Sequence, residues 1–224
     1  MESNKRKGRI VGLLFLFIFV TGVAVYQFLQ GPFLFSDDFL TATSENSNKI
    51  ILSTLLLFLS GVTSVIIATI LLPILKKHSN TLAYLYLAFN ILTFIAISID
   101  NVSTLSILDL SQEYVKNRSN NSNLFNTLGN IIYKKHWWSH YFSLLISCLP
   151  VFVLYYTLYV SKLIPKIISI IGVIAVILMF IEILFSILGN SISMNMLLPI
   201  GLIQLILPLW LIFKGFRLPV LNLN

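Results

Sequence analysis

The sequence predicts an all-α membrane protein: a polytopic bundle of six transmembrane helices with the N- and C-termini both cytoplasmic. Three observations predict it. Hydrophobic residues make up 57% of the 224 and charged ones only 10%, with a mean hydropathy of +0.91, which leaves too few polar side chains for a water-soluble surface. Six apolar runs recur, each near or above the roughly 20 residues that a helix needs to cross a hydrocarbon core. The basic residues gather at alternate ends of those runs. No stretch alternates in polarity over about ten residues, as the strands of a membrane β-barrel do.

The first span is predicted over residues 10–29, directly after Lys5, Arg6, Lys7 and Arg9. Such a start resembles a secretory signal, but the apolar part exceeds a usual signal core and Gly22-Val23-Ala24 is a poor cleavage site, so an uncleaved span is expected. Gly31-Pro32 should end it, because proline cannot continue a helix. Residues 31–49 then read as a loop with Phe33, Phe35 and Phe39 around Asp37 and Asp38.

The second span, residues 50–75, carries Ser60, Ser64 and Ala68 at four-residue spacing, a stripe that permits close helix approach, and Lys76-Lys77-His78 closes it. The third, residues 81–99, holds Asn90 near its middle and should stop at Asp100-Asn101. Residues 101–138 read as the largest extramembrane segment. Its asparagine-rich run at 117–123 has the composition of a mobile stretch. Leu124, Leu128, Ile131 and Ile132 then fall near helical spacing, which predicts a short amphipathic helix over 123–135 lying on the membrane and anchored by Trp137-Trp138.

The fourth and fifth spans, residues 139–160 and 164–188, form a hairpin around a short basic turn with Lys162 and Lys166. Pro150 should free the carbonyl of Ile146 and kink the fourth. An uncharged turn at Gly189-Asn190-Ser191 leads to the sixth span, residues 193–213, where Gln204 precedes Pro208 by four residues. No internal repeat is evident, which argues against an inverted-repeat transporter.

Orientation follows from counting Lys and Arg. With a cytoplasmic N-terminus, ten lie inside (5, 6, 7, 9, 76, 77, 162, 166, 214 and 217) and five outside (49, 116, 118, 134 and 135). The formal charge of +7 therefore marks anionic head groups, not nucleic acid, since no basic stripe with interleaved aromatics exists. The single cysteine, Cys148, excludes an intrachain disulfide.

Several stretches carry a family resemblance. Arg9-Ile10-Val11-Gly12-Leu13-Leu14-Phe15-Leu16, His140 before the fourth span, Leu163-Ile164-Pro165-Lys166-Ile167-Ile168-Ser169-Ile170-Ile171-Gly172, and Leu209-Trp210-Leu211-Ile212-Phe213-Lys214-Gly215 resemble a family catalogued as domain of unknown function 4386. The resemblance covers nearly the whole chain. It implies a six-helix integral membrane protein of bacteria with no established activity to transfer. In that family a glutamate often stands about six residues before the final tryptophan, where this chain has Gln204.

Among candidate site residues, Glu182 is the sharpest signal, because a carboxyl in an apolar run must face protein or a water cavity. The plain alternative is a protonated glutamic acid making one interhelical hydrogen bond. Asp100 and His140 fall at a similar depth, so Glu182, His140 and Asp100, with Asn90 and Gln204 at mid-membrane, make up a candidate polar pocket in the outer half. For Asn90 and Gln204 structural glue is the competing role, since such hydrogen bonds average only about 0.6 kcal/mol. His136 and His140, four apart, are weak metal candidates with Asp100 or Glu182. The residues between them, Trp137-Trp138-Ser139, lack the glutamate of a metalloprotease helix, so no metal and no other cofactor is expected.

No nucleophile elbow, phosphate loop or dinucleotide fingerprint is present, which leans away from an enzyme. The expected function is that of a multi-pass cell-membrane protein that binds or transports a small ligand or lipid. The alternatives are an accessory or structural subunit, and an intramembrane metal-dependent enzyme. The expected partners are the bilayer itself and a small-molecule or lipid ligand, with no nucleic acid.

Overall fold

The computed structural model describes residues 2–117, 122–190 and 194–217, and among them every regular element is helical. In order these are α1 (Glu2–Ala24), a π-helical turn (Val25–Leu29), α2 (Gly31–Leu34), α3 (Phe39–Glu45), α4 (Ser47–Leu75), α5 (Asn80–Lys116), α6 (Ser122–Ser161), α7 (Lys166–Ile187), a 3₁₀ turn (Met194–Leu197) and α8 (Leu198–Phe213). Among the described residues five helical stretches are long and apolar enough to cross a membrane, and α8 is a shorter apolar helix.

The distribution of side chains on α7 is that of a helix in lipid. Its exposed positions include Ile167, Ile170, Ile171, Ile174, Ile177 and Phe185, while its buried face mixes Ser169, Gly172, Ala175 and Glu182 with Ile168, Val176 and Ile183. A helix more apolar outside than inside has no reason to fold that way in water. The protein is thus a helical bundle of multi-pass membrane type.

Two long helices depart from the sequence-based expectation. The third span does not stop at Asp100: α5, 37 residues long in all, continues to Lys116. No glycine or proline interrupts residues 100–116, and the extension is buried along one side by Ile107, Leu108, Ser111 and Tyr114. Nor does a separate surface helix cover residues 123–135, which form the first part of the 40-residue α6, running without a break through His136 and past Pro150. Ile132, expected in the lipid boundary, packs instead against a core of Leu34, Ile50, Ile107 and Leu108. Most of the asparagine-rich run lies outside the described residues.

The first loop also has more structure than expected. Pro32 sits in the opening turn of α2, where its missing N–H costs nothing, and the Asp38 carboxylate caps α3 by accepting from Thr41 N at 3.4 Å. Gly189, at φ 84°, closes α7 as the glycine after a helix end usually does.

The chain folds as two compact units. One comprises Met1–Phe19, Thr63–Thr93 and Leu144–Asn224. Within it α1 approaches the C-terminal segment closely: a Cβ on Gly8 would lie 2.9 Å from Gly215 Cα. The Tyr155 hydroxyl donates to the Ile203 carbonyl at 3.3 Å, tying α6 to α8. The other unit comprises Val20–Val62 and Phe94–Ser143, is built around the Leu34–Ile107 core, and contains the site described next.

Candidate functional site

Helical spacing assembles the site. On α5, Asp100 and Thr104 are four apart; on α6, His136, Ser139 and His140 share a face by the same rule. The third contributor is the π-helical turn at the end of α1, where Gln30 N–H donates to Val25 O, five residues back, at 2.8 Å. Such turns widen a helix by one residue and occur often at functional sites. Here the turn carries Tyr26 and delivers Gln30. A Cβ at Gly31 would overlap the Tyr26 carbonyl oxygen, so only glycine follows this turn without displacing it.

Asp100 stands at the centre, 5% exposed. Its Oδ1 is 3.1 Å from His136 Nδ1 and its Oδ2 is 3.0 Å from His140 Nδ1. The Ser139 hydroxyl lies 2.9 Å from Oδ1 and 2.9 Å from the His136 carbonyl, and donates to one or the other. Gln30 Nε2 donates to Thr104 Oγ1 at 3.1 Å, and Thr104 is 3.4 Å from His136 Nδ1. Asp100 is the nearer and stronger acceptor for a proton on His136 Nδ1. The imidazole centroids are 5.9 Å apart, and the Tyr26 ring meets His140 edge-on at 5.5 Å.

A carboxylate against both Nδ1 atoms, hydrogen-bonded to His140 and in ion-pair contact with His136, favours the Nδ1–H tautomer in both rings. Each Nε2 then carries a lone pair when its ring is neutral. Among the described residues neither Nε2 has a protein partner, and Asp100 has no Lys or Arg partner. The centre can therefore accept hydrogen bonds or hold a positive charge. It is not a three-ligand metal cage, since no group of three His, Cys, Asp or Glu among the described residues is arranged for one.

Of the five residues expected in a common pocket, the structure joins Asp100 and His140, and adds His136. The other three belong to the other unit. Glu182 is buried there and accepts from Ser186 Oγ at 3.0 Å. Asn90 is buried and donates to the Tyr86 carbonyl at 2.7 Å, one turn back on its own helix. Gln204 is exposed on α8. Gln30, Thr104, Ser139 and Tyr26 were not anticipated. The spacings 100/104 and 136/139/140 could have pointed to the middle two, had residues 101–138 been read as helix.

A family described as domain of unknown function DUF4386 matches residues 10–215. The chain belongs to that family. No curated protein and no solved structure matches the chain. The DUF4386 match spans both units, so the Asp100 centre and Glu182 both fall within the family domain.

Proposed function

We propose that this DUF4386 member is a multi-pass protein of the cell membrane that binds a small cationic or hydrogen-bond-donating ligand at Asp100, His136 and His140. The observation that carries this reading is the convergence of one carboxylate and two imidazoles from different helices in an apolar protein, with both Nε2 atoms left for a ligand. Burying such a group is costly, so it persists where it has a role.

Helix lengths support a place for the centre at the outer boundary. Asp100 lies 20 residues beyond the start of α5 at Asn80, about 30 Å of helix and one hydrocarbon thickness from the Lys76-Lys77 pair. His140 lies about as far from the Lys162 turn, and Trp137 and Trp138 adjoin it as interfacial anchors. The remainder of α5 and the start of α6 then extend outside. Together the 3₁₀ turn and α8 cover Met194–Phe213, about 32 Å at their respective rises, enough for a sixth span.

Reporter fusions after Lys77, Ser161 and Phe216 should signal cytoplasm, and those after Asn46, Asn121 and Ser191 the opposite side. A cytoplasmic signal at Asn121 would overturn the six-span arrangement with both ends inside. The binding reading is tested by native mass spectrometry of protein released from nanodiscs. A small-molecule adduct should be present on the wild type and absent from an equally monodisperse Asp100→Asn protein. Adducts indifferent to that substitution would place binding elsewhere.

A further inference from the structure

We infer that the ligand of the Asp100 centre is one divalent transition-metal ion of the zinc, nickel and copper class, taken up through Nε2 of His136 and Nε2 of His140. This rests on the binding reading above and names its ligand.

Four observations converge. The histidines are four apart on one helix, with ring centroids 5.9 Å apart and planes inclined by 37°, so both rings project from the same face. Each Nδ1 is within 3.1 Å of an Asp100 oxygen, and a carboxylate bonded behind an imidazole is the partner that orients a metal-binding histidine and raises its basicity. Charge points the same way. With neutral imidazoles the centre holds one negative charge in a buried setting, and among the described residues no Lys or Arg offsets it. Finally, Gln30 is 3% exposed and its Oε1 has no hydrogen-bond partner, although its Nε2 is fixed on Thr104. An unpaired buried acceptor beside the centre fits an ion or the water that an ion carries.

Imidazole selects zinc, copper and nickel over magnesium and calcium, which favour all-oxygen sites. Two imidazoles leave coordination positions open, so water or an exogenous donor completes the shell, as at sites where a metal meets a substrate.

The test uses the full chain purified without a histidine tag, because the chain has only three histidines. One equivalent of Cu²⁺ is added and pulsed electron paramagnetic resonance counts the coordinated imidazoles. Two are expected, and His78→Ala, at an exposed position, should leave two. One or none in the wild type overturns the proposal, and this count requires no variant to fold. In equilibrium dialysis Zn²⁺ should bind at one per chain, and Asp100→Asn should weaken it roughly 10–100-fold. Undiminished Zn²⁺ binding by a folded His136→Ala/His140→Ala protein also overturns it. The two readings fail separately. An Asp100-dependent organic adduct with no imidazole-bound copper removes the metal and keeps the binding site, whereas adducts indifferent to Asp100 remove the site itself.

Discussion

Asp100→Ala should lower the unfolding free energy by about 3 kcal/mol or more, because each buried donor left unpaired costs about 1–3 kcal/mol. An ordinary interhelical hydrogen bond in a membrane protein contributes only about 0.6 kcal/mol. Two features place Asp100 in the larger class. Its carboxylate faces two imidazole nitrogens and a hydroxyl within 3.1 Å, and Asp100 and His136 are buried with Ser139 and His140 partly so, so truncation strands several polar groups at once. Asp100→Asn keeps an acceptor oxygen and should cost less. The measurement is reversible unfolding in bicelles, by steric trapping or a denaturing detergent. The same Asp100→Ala change made in a His136→Ala/His140→Ala background should cost far less, because the stranded groups are already gone. A loss under about 1 kcal/mol in the wild-type background would return Asp100 to the class of ordinary polar contacts.

Gly31→Ala should be the most damaging of the glycine-to-alanine changes outside the helix contacts, at about 1–3 kcal/mol and toward the upper end of the range for overpacking. The added methyl would overlap the Tyr26 carbonyl oxygen, a backbone atom that cannot rotate aside as a side chain can. Relief requires rewinding the Val25–Leu29 turn, which would pull Gln30 off Thr104 and move Tyr26 away from His140. The loss of stability should therefore come with weaker ligand binding at the Asp100 centre. Gly22→Ala and Gly201→Ala are the controls. Nothing lies within 4 Å of a Cβ at either position, so both should be neutral or stabilise by up to about 1 kcal/mol through helix propensity. If Gly31→Ala behaved like these two, the π-helical turn would not be the element that sets the site.

The class of protein and most of its helices were determined by the sequence alone, because the length and polarity of an apolar run are local properties. Residues 50–75 lie within α4, most of 164–188 forms α7, and the first helix breaks at Gln30, just before Gly31-Pro32. What tertiary structure alone decided was the meaning of polar residues inside helices. Asp100, Asn101, Ser103, Thr104 and Ser111 resemble the edge of a span when taken one by one. They are buried because other segments supply partners, as when Asn101 Nδ2 donates to the Thr54 carbonyl at 3.1 Å, and so α5 runs on to Lys116. Asp100 and His136 are 36 positions apart, and no periodicity links them. Gln30 reaches Thr104 across 74 positions only because a π-helical turn re-aims it. Conversely Glu182, Asn90 and Gln204 share a polarity that suggested one pocket, yet Asn90 turns to its own helix and Gln204 turns outward. Depth in a helix can be counted along the chain, but the direction a side chain faces depends on which helices are neighbours, and that is set by packing.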